Sequence, residues 1–127
     1  MTPPVIEKWL RFMTTRDAAD LDALLADDVV FYSPAVFTPQ EGRAKASAYL
    51  LAAEKMFADT DFHYTNHWYA DRSAVLEFRA ELDGITIEGV DMIHWNEANQ
   101  IESFKVMVRP LKALQTIIPK MAELLSY

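Results

Sequence analysis

Residues 73–109 constrain the fold of this chain more than any other stretch. Ser73–Asp83 alternates strictly: Ala74, Leu76, Phe78, Ala80 and Leu82 share one parity, and Ser73, Val75, Glu77, Arg79 and Glu81 the other. Successive side chains of a strand point to opposite faces, so this segment is a strand with one apolar and one charged face. Asp83-Gly84 follows, the residue pair favoured in a two-residue type I′ hairpin turn, where both central residues need positive φ. Closing the hairpin there pairs Leu82 with Ile85, Ala80 with Ile87, Phe78 with Gly89 and Leu76 with Asp91, and sets Arg79 against Glu88. A one-residue slip would spoil both faces at once. The register places a carboxyl, Asp91, on the apolar face, flanked along its strand by Gly89 and Ile93.

The next turn lies at Asn96-Glu97-Ala98-Asn99. A four-residue loop sets Asp91 opposite Phe104 and keeps Phe104, Val106 and Val108 on the apolar face. A five-residue loop sets Asp91 opposite Lys105 and brings Arg109 inward. The first buries more apolar surface and is preferred. Val75, Val90, Met92, Met107 and Ile101 are expected to share the outer face with the charged ladder.

The remaining chain supplies helices before these strands and one after them. Thr2-Pro3-Pro4 opens a first helix that Thr2 can cap, with a stripe of Ile6, Trp9, Leu10 and Met13 widened by Val5 and Phe12. Asp17 caps a short second helix bearing Leu21, Leu24 and Leu25, closed by Asp27-Asp28. Val29–Tyr32 is a short strand stopped by Ser33-Pro34. A third helix begins either at a capping box over Thr38–Glu41 or at Gly42-Arg43 and presents Ala46, Tyr49, Leu50, Ala53 and Phe57. Phe62–Ala70 is an aromatic-rich strand. A last helix carries Leu111, Leu114, Ile118, Met121 and Leu125, kinked or divided at Pro119. Helices followed by antiparallel strands predict an α+β domain spanning residues 1–127, with the helices on one sheet face and a cavity into which Asp91 projects.

Composition narrows the function. With 19 acidic residues against 12 basic ones, the net charge of −7 disfavours phosphate backbones and anionic lipid, so neither nucleic acid nor a membrane is an expected partner. There is no cysteine for a disulfide or thiolate site. The N-terminus lacks a basic segment followed by an apolar run, no apolar stretch approaches the roughly 20 residues of a membrane helix, and a cytoplasmic location is expected. Three glycines and no phosphate-loop, nucleophile-elbow or zinc signature leave no expected cofactor.

Asp91 is the candidate catalytic residue. Burial among Leu76, Ile93 and Phe104 raises the pKa of an unpaired carboxyl and makes it an acid near neutral pH; the alternative is a structural carboxyl bonded to a tyrosine or a buried arginine. Tyr32, Tyr49, Tyr64 and Tyr69 could reach a cavity and orient a ligand oxygen, or serve as half-buried core residues with a hydroxyl at a polar edge. His63 and His67 are about 13 Å apart on a strand, too far to share one metal ion, so no metal site is expected. His94 lies on the parity opposite Asp91 and is expected at the surface.

Asp83-Gly84, Gly89-Val90-Asp91-Met92-Ile93, Val106-Met107-Val108-Arg109-Pro110, Ala26–Phe31 and Glu41-Gly42-Arg43 together resemble the nuclear transport factor 2-like superfamily, in particular its SnoaL-like branch. The resemblance covers nearly the whole chain. It implies a curved antiparallel sheet wrapped around three N-terminal helices, a cone with an internal pocket, often dimerised through the outer sheet face. Its members include ketosteroid isomerases, polyketide cyclases, limonene epoxide hydrolases, dehydratases and binding modules without chemistry. The resemblance places Asp91 at the isomerases' protonated, oxyanion-binding aspartate. The isomerase general base falls at Ser33 and its oxyanion tyrosine near Trp9. The epoxide hydrolase positions fall at Phe78 or Ala80 and at Val106. The glycine usual in the last turn is Asn99, which tolerates left-handed backbone angles. What these readings imply is a pocket for a small apolar or polycyclic carbonyl compound, lined by Trp9, Tyr32, Tyr49, Tyr64, Leu76, Phe78, Ile93, Phe104 and Val106. Isomerisation, cyclisation or dehydration through Asp91 is the expected chemistry; the alternative is a non-catalytic module that binds a small ligand or makes a protein contact, with a homodimer through the mixed apolar and charged outer sheet face expected.

Overall fold

In the computed structural model, which describes residues 1–125, the chain forms four helices and one six-stranded sheet. Helix α1 spans Pro4–Thr15, α2 Ala18–Leu24, α3 Arg43–Phe57 and α4 Leu111–Leu125. The strands are β1 Leu25–Tyr32, β2 Gln40–Glu41, β3 His63–Ala70, β4 Ser73–Leu82, β5 Ile85–Trp95 and β6 Ile101–Arg109. Their order is β2-β1-β6-β5-β4-β3 in a curved, unclosed sheet. All neighbours are antiparallel except β1 and β6, which run parallel, so the sheet is mixed rather than wholly antiparallel. Parallel pairing needs a long crossover, and the chain from α3 through β5 provides it.

The Asp83-Gly84 hairpin forms as expected. Asp83 and Gly84 take φ of 52° and 76°, and the pairs Leu82–Ile85, Phe78–Gly89 and Leu76–Asp91 are in register. Gly89 has a packing reason. A Cβ there would lie 2.4 Å from the Phe78 ring and 2.6 Å from the Met107 carbonyl oxygen.

The second hairpin departs from both expected registers. Asp91 pairs with Val106, Ile93 with Phe104 and Gly89 with Val108, and the register shifts beyond His94, where Trp95 faces Ile101. Glu102 is the extra residue, a bulge that reverses the parity beyond it. Ile101 therefore turns into the core, fully buried, instead of joining the outer face. The loop is tight: Asn96 N–H donates to the Gln100 carbonyl at 2.9 Å, and Asn99 takes φ 60°. Phe104, Val106 and Val108 keep the inward parity, because a two-residue shift leaves alternation intact.

The helices differ from expectation mostly at their ends. Thr2 does not cap α1; Pro3 occupies the N-cap without a side-chain bond. Asp17 does cap α2, its carboxylate accepting from Ala19 N–H at 2.9 Å. β1 begins at Leu25 and leaves its ladder with β6 between Leu25 and Val30, so Asp27-Asp28 lie exposed within the strand rather than ending the helix. α3 starts after Gly42 and not at a Thr38 box, since Gln40-Glu41 pairs with β1 as β2. Pro119 does not divide α4. The fully buried side chains of α4 are Ala113 and Ile117, while Leu111 is exposed.

The core fills the concave side of the sheet. One part joins Val5, Ile6 and Trp9 of α1 to Leu76, Ile93 and Phe104 of the sheet. A second joins Met56, Phe78 and Ile87 to Ala113 and Ile117 of α4. Each Val, Leu, Ile, Phe or Met side chain among them contributes about 1.5–3 kcal/mol on removal from water. Arg79 and Arg109 both reach Glu88 on the outer face, at 3.7 and 2.5 Å.

Candidate functional site

Asp91 is held where the two parts of the core meet, on the wall of a small cavity of about 50 Å³ bounded also by Trp9, Glu54, Tyr64, Phe78 and Phe104. Beside it lies a larger apolar pocket of about 540 Å³, whose walls include Tyr49, Met56, Ile117, Ile118 and Met121. Phe31, Ala53, Phe57, Phe78 and Val106 line both, so the small cavity and the apolar pocket share a wall.

A chain of donors fixes Asp91. Tyr64 O–H donates to Asp91 Oδ2 at 2.5 Å, and Trp9 Nε1–H donates to the Tyr64 oxygen at 2.9 Å. Among the described residues Tyr64 is the only hydrogen-bond partner of the Asp91 side chain. Asp91 is 6% exposed. Its burial pushes its pKa up to about 7 although the Tyr64 bond pulls the other way, and the nearby Glu54 carboxyl adds to the rise. Burial and the Asp91 charge drive the Tyr64 hydroxyl well above the usual phenol range.

Glu54 is the functional candidate that the sequence reading passed over. It stands on α3 four residues after Leu50, hence on the same helix face, and is 9% exposed. Its pKa is also pushed up to about 7, by burial first, with Arg16 opposing. Arg16 Nε lies 3.7 Å from Glu54 Oε1 at the left-handed C-cap of α1. The available signal was a carboxyl one helical turn after Leu50. It was masked because α3 packs against β1, α2 and α4 together and so lacks a clean polar side.

The expected lining residues divide into three groups. Trp9, Tyr64, Phe78, Phe104 and Val106 do surround the cavity with Asp91. Tyr49 lines only the apolar pocket, its ring 5.4 Å from Phe31. Leu76, Ile93 and Tyr32 are corrected. Leu76 and Ile93 are packed in the core with α1 and line neither the small cavity nor the apolar pocket. Tyr32 follows the inward Phe31 and so points the other way, onto a surface depression where Lys105 Nζ lies 4.9 Å from its ring centroid. Ser33 lies at the mouth of the apolar pocket, its hydroxyl accepting from Ala35 N–H at 3.1 Å. His94 is exposed, opposite Ser73 and Ser103. Among the described residues no three His, Asp or Glu side chains are grouped as metal ligands. No helix among them is long and apolar enough to cross a membrane.

The arrangement offers two buried carboxyls, both near neutrality in acidity, on opposite walls of a mostly aromatic cavity. Such groups can hold or give up a proton near pH 7.

No curated protein matches the sequence. Among solved structures, the chain is similar to a steroid delta-isomerase from Pseudomonas aeruginosa: 33% identity, a TM-score of 0.88, covering 94% of this chain and 87% of that one. An uncharacterised bacterial protein with a cystatin-like fold from Silicibacter pomeroyi DSS-3 shares 28% identity with a TM-score of 0.86, over 94% of this chain and 84% of that one. A protein from Jannaschia sp. CCS1 assigned as a SnoaL-like polyketide cyclase shares the fold at 13% identity, with a TM-score of 0.71 over 92% of this chain and 96% of that one. The sheet and helices are those of the nuclear transport factor 2-like fold, and residues 6–104 match the SnoaL-like domain, so the chain belongs to the SnoaL-like family.

Proposed function

We propose that this protein binds a small apolar or polycyclic carbonyl compound, with its skeleton in the apolar pocket and its oxygen at Asp91. One observation carries the reading: a nearly fully buried carboxyl, pushed up to about 7, lines a small cavity that shares five wall residues with a large, almost wholly apolar pocket. Tyr64 holds Oδ2, leaving Oδ1 to carry the proton and donate to the ligand oxygen. A donor placed where negative charge develops lowers the barrier to isomerisation, cyclisation or dehydration. The likeness to a steroid delta-isomerase supports a carbonyl ligand, and the family's polyketide cyclases are compatible with one. Fold alone does not choose among these reactions.

Binding without chemistry is the second reading, favoured by the fact that Asp91 already has a partner in Tyr64. Asp91→Asn separates the two. Turnover of a carbonyl ligand by the wild type is expected to fall at least about 100-fold in the variant, measured as kcat with binding followed in parallel. Unchanged turnover removes Asp91 from the chemistry, and retained ligand with no turnover in either protein leaves binding alone.

A further inference from the structure

The Asp91 reading leaves one buried acid unused. Glu54 reaches the same cavity from α3, across from Asp91 on β5. The partners of the two carboxyls differ. Asp91 is fixed by a 2.5 Å hydrogen bond whose donor is itself held by Trp9. Glu54 has no hydrogen bond to a neutral group among the described residues, only the 3.7 Å contact with Arg16, whose side chain is 54% exposed. Each carboxyl has one partner that favours its charged form, Tyr64 for Asp91 and Arg16 for Glu54. Glu54, held by no hydrogen bond to a neutral group among the described residues, is the more mobile member of the pair, and with Asp91 protonated as its acid reading requires, Glu54 is the carboxyl left to act as a base. The charged groups facing Glu54 are Arg16 at the end of α1, Asp91 on β5 and, through its hydroxyl, Tyr64 on β3.

We propose that Glu54 is the second catalytic residue, a base that removes a proton from the carbon next to the ligand carbonyl, with Arg16 as its positioning residue. The ligand class is then an enolisable ketone or aldehyde on an apolar skeleton. In the step, a Glu54 oxygen takes the proton and becomes a carboxylic acid. The C–H electron pair becomes a C=C bond, and the C=O pair moves onto oxygen, which accepts a hydrogen bond from Asp91. The Glu54 acid then returns a proton to the same carbon, or to the far end of a conjugated system, restoring its carboxylate. No oxidant, reductant or further reactant enters. This inference rests on the acid reading of Asp91.

The test uses 2-tetralone, an apolar bicyclic ketone, with the full chain in deuterated buffer. Exchange of its protons next to the carbonyl is followed by proton NMR, and its binding by shift changes of the protein. Wild type is expected to accelerate exchange. Glu54→Gln is expected to bind 2-tetralone while losing at least about 100-fold of that acceleration. In Arg16→Ala, loss of the cation makes Glu54 harder to ionise, so exchange persists but its rise with pH moves to higher pH. Glu54→Gln exchange within about twofold of wild type overturns the role of Glu54; if Asp91→Asn still loses exchange, the Asp91 reading stands. No acceleration by wild type overturns both. If Glu54→Gln unfolds, the Arg16→Ala profile decides, and an unmoved profile overturns the proposal.

Discussion

Asp91 and Glu54 make folding itself depend on pH. In the unfolded chain they titrate at their ordinary values of 3.8 and 4.5, whereas burial in the folded chain pushes each to about 7. Between these limits the folded state binds more protons than the unfolded state, so stability falls as pH rises. The contribution of the two acids is whole below about pH 4, is lost progressively up to about pH 7, and is flat above. Together they amount to roughly several kcal/mol. Urea unfolding midpoints between pH 4 and 8 are expected to show this fall. Asp91→Asn with Glu54→Gln is expected to flatten it, since amides of the same shape do not titrate. The Asp91 position was legible from hairpin register alone. Glu54 was not, because the same helix spacing suits a solvated carboxyl unless another element covers it, and α1 supplies the cover through Arg16.

At the scale of elements, β5 owes its place to one glycine. Gly89 lets the Phe78 ring approach the strand closely, where it walls both the cavity and the apolar pocket. Gly89→Ala is expected to push that ring aside and to force β5 away from the Met107 carbonyl, at a cost of about 3 kcal/mol in stability, read by urea unfolding, and to reduce 2-tetralone binding with it. The β4–β5 hairpin could be read residue by residue because Asp-Gly turn chemistry and alternation agree. The β5–β6 hairpin could not. Both expected loops assumed unbroken alternation, whereas the bulge at Glu102 lets Trp95 and Ile101 both face inward. Alternation on each side of the bulge is normal, so only the joining of the two strands reveals it.

The whole molecule is a curved sheet against which α3 and α4 pack, with a pocket lined by both helices and the sheet. Ile118, which points into it, is 44% exposed, and Leu125 also lines it. In sequence these residues are indistinguishable from core residues, since an apolar stripe looks alike whether it meets protein or empty volume. Ile118→Trp is expected to fill part of the pocket. It should weaken 2-tetralone binding at least about tenfold, measured by NMR titration, while leaving thermal unfolding within a few degrees of wild type. A ligand seated elsewhere would leave that affinity unchanged.

Local chemistry in the chain determined the α+β class, the central hairpin, the Asp17 cap and the inward carboxyl at 91. These depend on residues near one another in sequence, where periodicity and turn geometry act directly. Only the tertiary structure decided that β1 lies parallel to β6, that Tyr32, Leu76 and Ile93 stand apart from the pocket, and that Glu54 faces Asp91 across a cavity. Each of those depends on which elements pack together and how far the sheet curves, and side chains far apart in the chain meet only once that packing is set.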